Sequence, residues 1–194
     1  MNLGIIHEEY HSRAFAAQGG MFEMAQIWVN LPSLNKMQSP EYQPIKASEI
    51  TRVDLPNEAG FVNLIAGRFD STAVGPAKTY SPMNMWDVHL NMVEGGEGQR
   101  VEFSLDIGHN AMIFVRKGGI MLCEQNEVLP FSRIALLSVE GEKITMQALE
   151  PDTKVLLLSG VPLNEPIAAR GPFCMNTETE LRQAMLDYQQ GRMG

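Results

Sequence analysis

Residues 101–123 read VEFSLDIGHNAMIFVRKGGIMLC, and this stretch decides the fold class. It holds three short runs rich in β-branched and aromatic residues, which turn signals at Gly108 and at Gly118–Gly119 separate. Short apolar runs bounded by glycine are typical of antiparallel strands, and none of them has the period of an amphipathic helix. The stretch therefore predicts three consecutive strands at 101–105, 111–116 and 120–123.

The same pattern continues on both sides of this stretch. Further strands are predicted at 50–55, 61–67, 85–92, 133–137, 143–149 and 154–158. Many short strands with glycine and proline between them favour a β-sandwich or barrel, and a jelly roll needs about eight strands. Residues 48–160 are therefore predicted to form one complete jelly-roll barrel.

The period changes near the C-terminus. Thr177 and Glu180 have the spacing of a capping box, in which the threonine caps the helix and the glutamate bonds back to it. Leu181, Ala184 and Tyr188 then repeat at helical spacing. We expect a short amphipathic helix at about 178–190, preceded by an extended arm at 162–175.

Composition excludes several classes of function. The 194 residues are 44% hydrophobic and 20% charged, which is typical of a folded globular protein. A net charge of −8 argues against direct binding to nucleic acid, which needs a basic surface. There is no apolar run long enough to span a membrane and no signal-peptide pattern, and only two cysteines, Cys123 and Cys174, are present. These features predict a cytoplasmic protein with free thiols.

The N-terminal stretch carries the candidate chemistry. Residues 4–42 read GIIHEEYHSRAFAAQGGMFEMAQIWVNLPSLNKMQSPEY. Strands are predicted at about 3–9 and 24–31, joined by an alanine-rich link. Two strands cannot form a domain, so this segment needs further polypeptide to bury its apolar residues.

His7 and Glu9 are the candidate metal ligands, and Glu9 is the candidate catalytic base. In a strand, residues two apart project from one face, about 6–7 Å apart, so His-x-Glu can present two ligands to one ion. The alternative is a solvated strand end that carries polar residues by chance. Two ligands do not complete a site, since stable sites generally use three or four protein groups.

The letters H-E-E-Y-H from His7 to His11 also match the H-E-x-x-H motif of zinc hydrolases. That motif works only on a helix, where residues four apart share a face. Neither the short segment before His7 nor Ala14, which stands where the extended motif has glycine, supports this alternative.

Several segments together resemble the pirin family, whose members are iron-binding proteins with two cupin barrels. The similar segments are G-I-I-H-E-E, Q-I-W-V-N-L-P, K-M-x-x-P-x-Y-Q, P-L-N-E-P-I and G-P-F-C-M-N-T-E, from Gly4 to Glu178. The resemblance implies an all-β bicupin fold with one metal ion in the N-terminal cupin. The ion is held by an H-x-H pair and a later His-x-Glu, to which His7 and Glu9 correspond.

This chain departs from the family pattern at its start. The family's H-x-H pair would lie upstream of Gly4, and neither His89 nor His109 stands in such a pair. We expect His89 to be a surface residue and His109 to cap a turn. The resemblance implies three parts: 1–47 from an incomplete N-terminal cupin, 48–160 as the C-terminal cupin, and 161–194 as arm and helix.

Some pirins have quercetin 2,3-dioxygenase activity, so the resemblance implies a flavonol-like substrate and iron or another divalent metal. With only His7 and Glu9 present, we expect weak metal binding and an inactive or incomplete enzyme. Two alternatives stay open: a metal-free cupin that acts by binding a protein partner, and a nonfunctional remnant. The apolar N-terminal segment also predicts self-association or binding to another protein chain.

Overall fold

The computed structural model describes residues 6–92 and 98–193. The chain divides into two compact units. One is Gln43–Pro162, and the other combines the residues up to Tyr42 with those from Leu163 onward.

The central unit consists of two antiparallel sheets. Its described strands are β1 Thr51–Asp54, β2 Gly60–Ala66, β3 Met83–Leu90, β4 Arg100–Ser104, β5 Asn110–Lys117, β6 Gly119–Leu122, β7 Glu127–Pro130, β8 Ile134–Leu137, β9 Lys143–Ala148 and β10 Thr153–Gly160. One sheet has the order β1-β2-β3-β10-β5-β8, and the other has the order β4-β9-β6-β7. All of these pairings are antiparallel, as in a jelly roll.

Alternating residues of both sheets form the core of this unit. On β3, the predicted alternation is confirmed, because Trp86, Val88 and Leu90 are all buried. Phe103 from β4 and Leu157 from β10 belong to the same apolar cluster. Burial of one face of each sheet against the other explains why these strands read as alternating apolar and polar residues.

The second unit contains two helices and a small hairpin. Its described elements are α1 Arg13–Gln18, β11 Ala168–Arg170, β12 Phe173–Met175 and α2 Glu178–Gln189. Thr177 and Glu180 form the predicted capping box at the start of α2. Leu181 and Ala184 are the buried residues of this helix. The predicted extended arm is in part the β11–β12 hairpin.

Both strands predicted in the N-terminal segment are wrong within the described residues. Residues 6–12 and 24–31 form no ladder, and α1 lies where a link was predicted. Residues 3–5 of the first predicted strand lie outside the described part. A strand is stable only when its backbone N–H and C=O groups pair with another strand, and none of the described strands pairs with this segment.

Strand β7 was missed because its sequence, EVLP, is short and ends in proline, which is a poor strand residue. Among the residues that the structure describes, no helix is long and apolar enough to cross a membrane.

Candidate functional site

His7 and Glu9 lie close together in the structure. His7 Nδ1 is 3.7 Å from a Glu9 carboxylate oxygen, and each side chain is 53% exposed. The segment is irregular and not a strand, so the two side chains are neighbours without the strand geometry from which their pairing was predicted. The intervening Glu8 carboxylate instead accepts a hydrogen bond from the Tyr10 hydroxyl.

His7 also lines a cavity of about 370 Å³ within the second unit. Lys36 and Phe173 contribute to its wall, as do Cys174 from β12 and Tyr188 from α2. The Cys174 thiol lies 3.4 Å from the Asn30 side-chain oxygen, to which it donates. The cavity therefore places an imidazole beside a largely apolar wall that carries one thiol and one ammonium group.

The donor atoms of this site fit part of a divalent metal's coordination shell. An imidazole nitrogen and a carboxylate oxygen are suitable ligands for iron, but stable sites generally take three or four protein groups. Within residues 6–92 and 98–193, no group of three or more His, Cys, Asp or Glu side chains could hold a metal. His7 and Glu9 with their described neighbours therefore do not form a complete metal site.

His11 does not join His7 in a zinc site. The first helix begins only at Arg13, so His7 and His11 are not on a helix as H-E-x-x-H requires. The His11 ring packs instead on Phe15 and Phe22, with ring centroids 5.6 and 4.5 Å away. The zinc-hydrolase alternative is therefore wrong.

A polar cluster on the outer face of the six-stranded sheet was missed by the sequence reasoning. Asp87 Oδ2 is bonded to His89 Nε2 at 2.9 Å, and the other Asp87 oxygen accepts from Arg116. All three side chains are 17% exposed. His89 also stacks on Phe61, with ring centroids 4.3 Å apart. His89 thus lies on the outer face beside Asp87, as expected, but it is only partly exposed and is held by its neighbours.

The alternation of β3 indicated that Asp87 and His89 share a face, but the contribution of Arg116 could not be found from spacing. Arg116 lies on β5, which pairs with β3 only through β10. Burial alone would raise the pKa of Asp87, but hydrogen bonds from His89 and Arg116 lower it to about 2. The hydrogen bonds of Asp87 to His89 and Arg116 tie β3 to β5 across the intervening β10.

Comparison with known proteins identifies the family. Residues 86–194 match the sequence profile of the pirin C-terminal cupin domain. A Pseudomonas aeruginosa protein provisionally named quercetin 2,3-dioxygenase is 41% identical over 189 residues, which are 97% of this chain and 63% of that protein. Rat pirin is 30% identical over 199 residues, covering 98% of this chain and 62% of pirin.

A solved structure agrees with the sequence comparisons. The crystal structure of quercetin 2,3-dioxygenase from Acinetobacter baumannii superposes with a TM-score of 0.87 at 41% identity. The match covers 95% of this chain and 61% of that chain, so the present chain spans less than two thirds of the length of these relatives. The fold is a cupin, and the chain belongs to the pirin family.

Proposed function

We propose that these 194 residues supply the C-terminal cupin and the His7–Glu9 half of the metal site of a pirin-type quercetin 2,3-dioxygenase. In this proposal the remaining donors come from polypeptide outside the 194 residues, and the chain by itself does not cleave quercetin. Residues 1–47 then belong to the N-terminal cupin, 48–160 to the C-terminal cupin, and 161–194 to the arm and helix.

The 3.7 Å approach of His7 Nδ1 to the Glu9 carboxylate carries the proposal. Two donors that bind one ion at about 2.1 Å lie roughly 3 Å apart, so only a small adjustment is needed. His7 also faces a cavity, as a ligand beside a substrate pocket should. A bound metal would supply open positions for a flavonol and oxygen, and Glu9 would supply a carboxylate base.

The relatives support the choice of reaction. Matches at 41% identity to a quercetin 2,3-dioxygenase structure and to a provisionally named quercetin 2,3-dioxygenase favour a flavonol-like substrate. The family resemblance favours iron as the metal. Both cysteines are free, which fits the proposed cytoplasmic location.

Complementation tests the proposal directly. The chain is purified alone and after coexpression with the part of the Acinetobacter enzyme that lies outside the match, and iron content and quercetin consumption are measured. For the chain alone, we expect substoichiometric iron and no quercetin cleavage. Loss of one supporting residue typically lowers metal affinity 10–100-fold, and the loss of half of the direct ligands should lower it far more. With the complementing segment, iron and activity should rise together.

Single substitutions identify the donors in the complemented protein. His7→Ala and Glu9→Gln should abolish the gain in bound iron, whereas Glu8→Gln is the matched control because the Glu8 carboxylate bonds to Tyr10 and not to His7. Chelator-resistant iron in the isolated chain would contradict the proposal. Complemented activity that survives both His7→Ala and Glu9→Gln would also contradict it.

A metal-free interaction module is the second candidate function, and one observation favours it. The N-terminal segment exposes large apolar side chains, including Met21 at 93% and Trp28 at 64%. Apolar exposure of this kind marks surfaces that bind polypeptide. We propose that its occupant is a polypeptide that pairs with residues 24–31, either another protein chain or a second copy of this one.

Analytical ultracentrifugation of the metal-free chain and its Trp28→Ser variant tests this candidate. Self-association that weakens on Trp28→Ser supports it. A monomer at high concentration that also fails to bind the complementing segment argues against it. The Tyr42→Ser variant is a control, because Tyr42 is also exposed but lies outside residues 24–31.

A further inference from the structure

A second cavity lies at one end of the C-terminal cupin, and all of its lining residues belong to Gln43–Pro162. Its volume is about 320 Å³. The lining residues come from the ends of β6 and β8, the starts of β5, β7 and β9, and the loops beside them. Ends of neighbouring antiparallel strands meet at one rim of a barrel, so this cavity is the barrel mouth.

His109 provides the unexplained feature of this cavity. Its side chain is only 8% exposed, although the sequence predicted a turn-capping residue. Its Nδ1 is buried and has no hydrogen-bond partner among the described residues. The nearest carboxylate oxygen, Asp106 Oδ2, is 3.8 Å away, which is too far for a hydrogen bond. Buried polar groups almost always have a partner, so this imidazole has unused binding capacity.

Asp106 is connected to the interior of the barrel. Asn84 Nδ2 lies 3.4 Å from Asp106 Oδ2 and donates to Ser159 Oγ at 3.1 Å. Asn84 and Ser159 are themselves buried. The His109 backbone N–H donates to the Asp106 carbonyl at 3.2 Å, which closes a turn between the two residues. Polar groups that continue into the barrel support a site at this mouth.

The charge around the mouth is negative. Asp106, Glu127 and Glu140 line the cavity, against Lys143 as the one cation among its described lining residues. Lys143 donates to Glu102 at 2.7 Å, and this hydrogen bond raises the pKa of Lys143. The rest of the wall combines polar residues, Gln125 and Ser138, with aliphatic ones that include Leu105, Ala111, Leu122, Leu137 and Ile144.

We propose that the mouth of the C-terminal cupin binds a small organic amine, protonated at neutral pH, that has an apolar body. His109 Nδ1 and Asp106 Oδ2 are 3.8 Å apart, so one ammonium nitrogen can bond to both once a small rotation of either side chain opens access to the buried Nδ1. The carboxylates of the rim attract the positive charge, and the aliphatic wall receives the apolar body. The site uses no residue of the His7–Glu9 pair, so it stands independently of the proposed dioxygenase function.

Benzylamine is a suitable probe, with benzyl alcohol and benzoate as neutral and anionic counterparts. Their binding to the 194-residue chain is followed by calorimetry and by the nitrogen resonances of the histidine rings, of which His109 is assigned with His109→Gln. We expect saturable binding of benzylamine at millimolar affinity, a shift of the His109 resonances, and binding at least about tenfold weaker for benzoate.

Charge-neutral variants distinguish binding at this site from non-specific attraction by the net negative charge of the protein. Asp106→Asn combined with Glu140→Gln should weaken benzylamine binding about tenfold, whereas Asp54→Asn, an exposed acid on β1, should change it less than about twofold. The proposal is overturned if benzylamine does not saturate by about 10 mM. It is also overturned if benzyl alcohol or benzoate binds equally, if the His109 resonances do not move, or if Asp54→Asn has the same effect as the double variant.

Discussion

Glu165 Oε2 accepts a 2.8 Å hydrogen bond from the Ser33 backbone N–H, from a residue 132 positions earlier in the sequence. The Ser33 hydroxyl donates to the other Glu165 oxygen, and Asn176 Nδ2 donates to Oε2. One carboxylate thus joins the N-terminal segment, the arm and Asn176, which lies two residues before the start of α2. This relationship explains why the two ends of the chain form one compact unit.

Glu165→Ala should remove the junction, by which we mean the hydrogen bonds of the Glu165 carboxylate to Ser33 and Asn176. We expect faster amide exchange at Ser33 and faster proteolysis of residues 24–42, with Glu178→Ala as control because its only described partner is Arg170 at 3.9 Å. The Ser33 backbone hydrogen bond lowers the pKa of Glu165, so the junction should persist above the unfolded pKa and be lost as pH falls through the lower folded value. Unchanged Ser33 exchange in Glu165→Ala would contradict this.

Asp87→Asn should destabilise the cupin at neutral pH. With a folded pKa of about 2 against an unfolded value near 3.9, the carboxylate contributes on the order of 2 kcal/mol. A lowered pKa means that this contribution is present above about pH 4 and lost as pH falls toward about 2. Urea unfolding of the protein and the variant at several pH values measures this contribution to the free energy of unfolding. Asp54→Asn, whose side chain is exposed, should have little effect, and equal losses for the two variants would contradict the prediction.

Trp86→Phe should cost much less than Trp86→Ala. Trp86 is almost fully buried, but its Nε1 has no hydrogen-bond partner among the described residues. Phenylalanine removes this unsatisfied group, whereas alanine leaves a cavity that costs about 3–5 kcal/mol. Denaturant unfolding of both variants decides the matter. In Trp28→Phe, Trp86 is the remaining tryptophan. Because Trp86 is buried, the fluorescence of this variant should be blue-shifted and resist quenching by acrylamide.

Gly60→Ala should destabilise the cupin more than Gly108→Ala. Both glycines have positive φ, +135° and +77°, so alanine is strained at either position. A Cβ at Gly60 would also lie 1.9 Å from the His89 carbonyl oxygen, whereas Gly108 has open space around it. Thermal unfolding of the two variants isolates the steric cost. A smaller loss for Gly60→Ala would contradict the described β2–β3 packing.

The local sequence pattern determined the positions of most strands of the cupin. The run from residue 101 to 123 predicted three strands, and β4, β5 and β6 occupy it, shifted by one residue or so. Alternation on β3 and the capping box at Thr177 were also read correctly. These features depend on interactions between residues a few positions apart, so they can be predicted from the sequence alone.

The tertiary structure decided what depends on distant partners. Residues 24–31 have the composition of a strand, yet without a described partner for their backbone they form none. The Asp87–Arg116 contact needs the register of three strands, and the His109 cavity needs the meeting of strand ends that are far apart in sequence. Sequence determined which segments can be strands, because side-chain alternation is local. Only the folded chain decided which polar groups meet, because strand pairing joins residues at separations that no local pattern records.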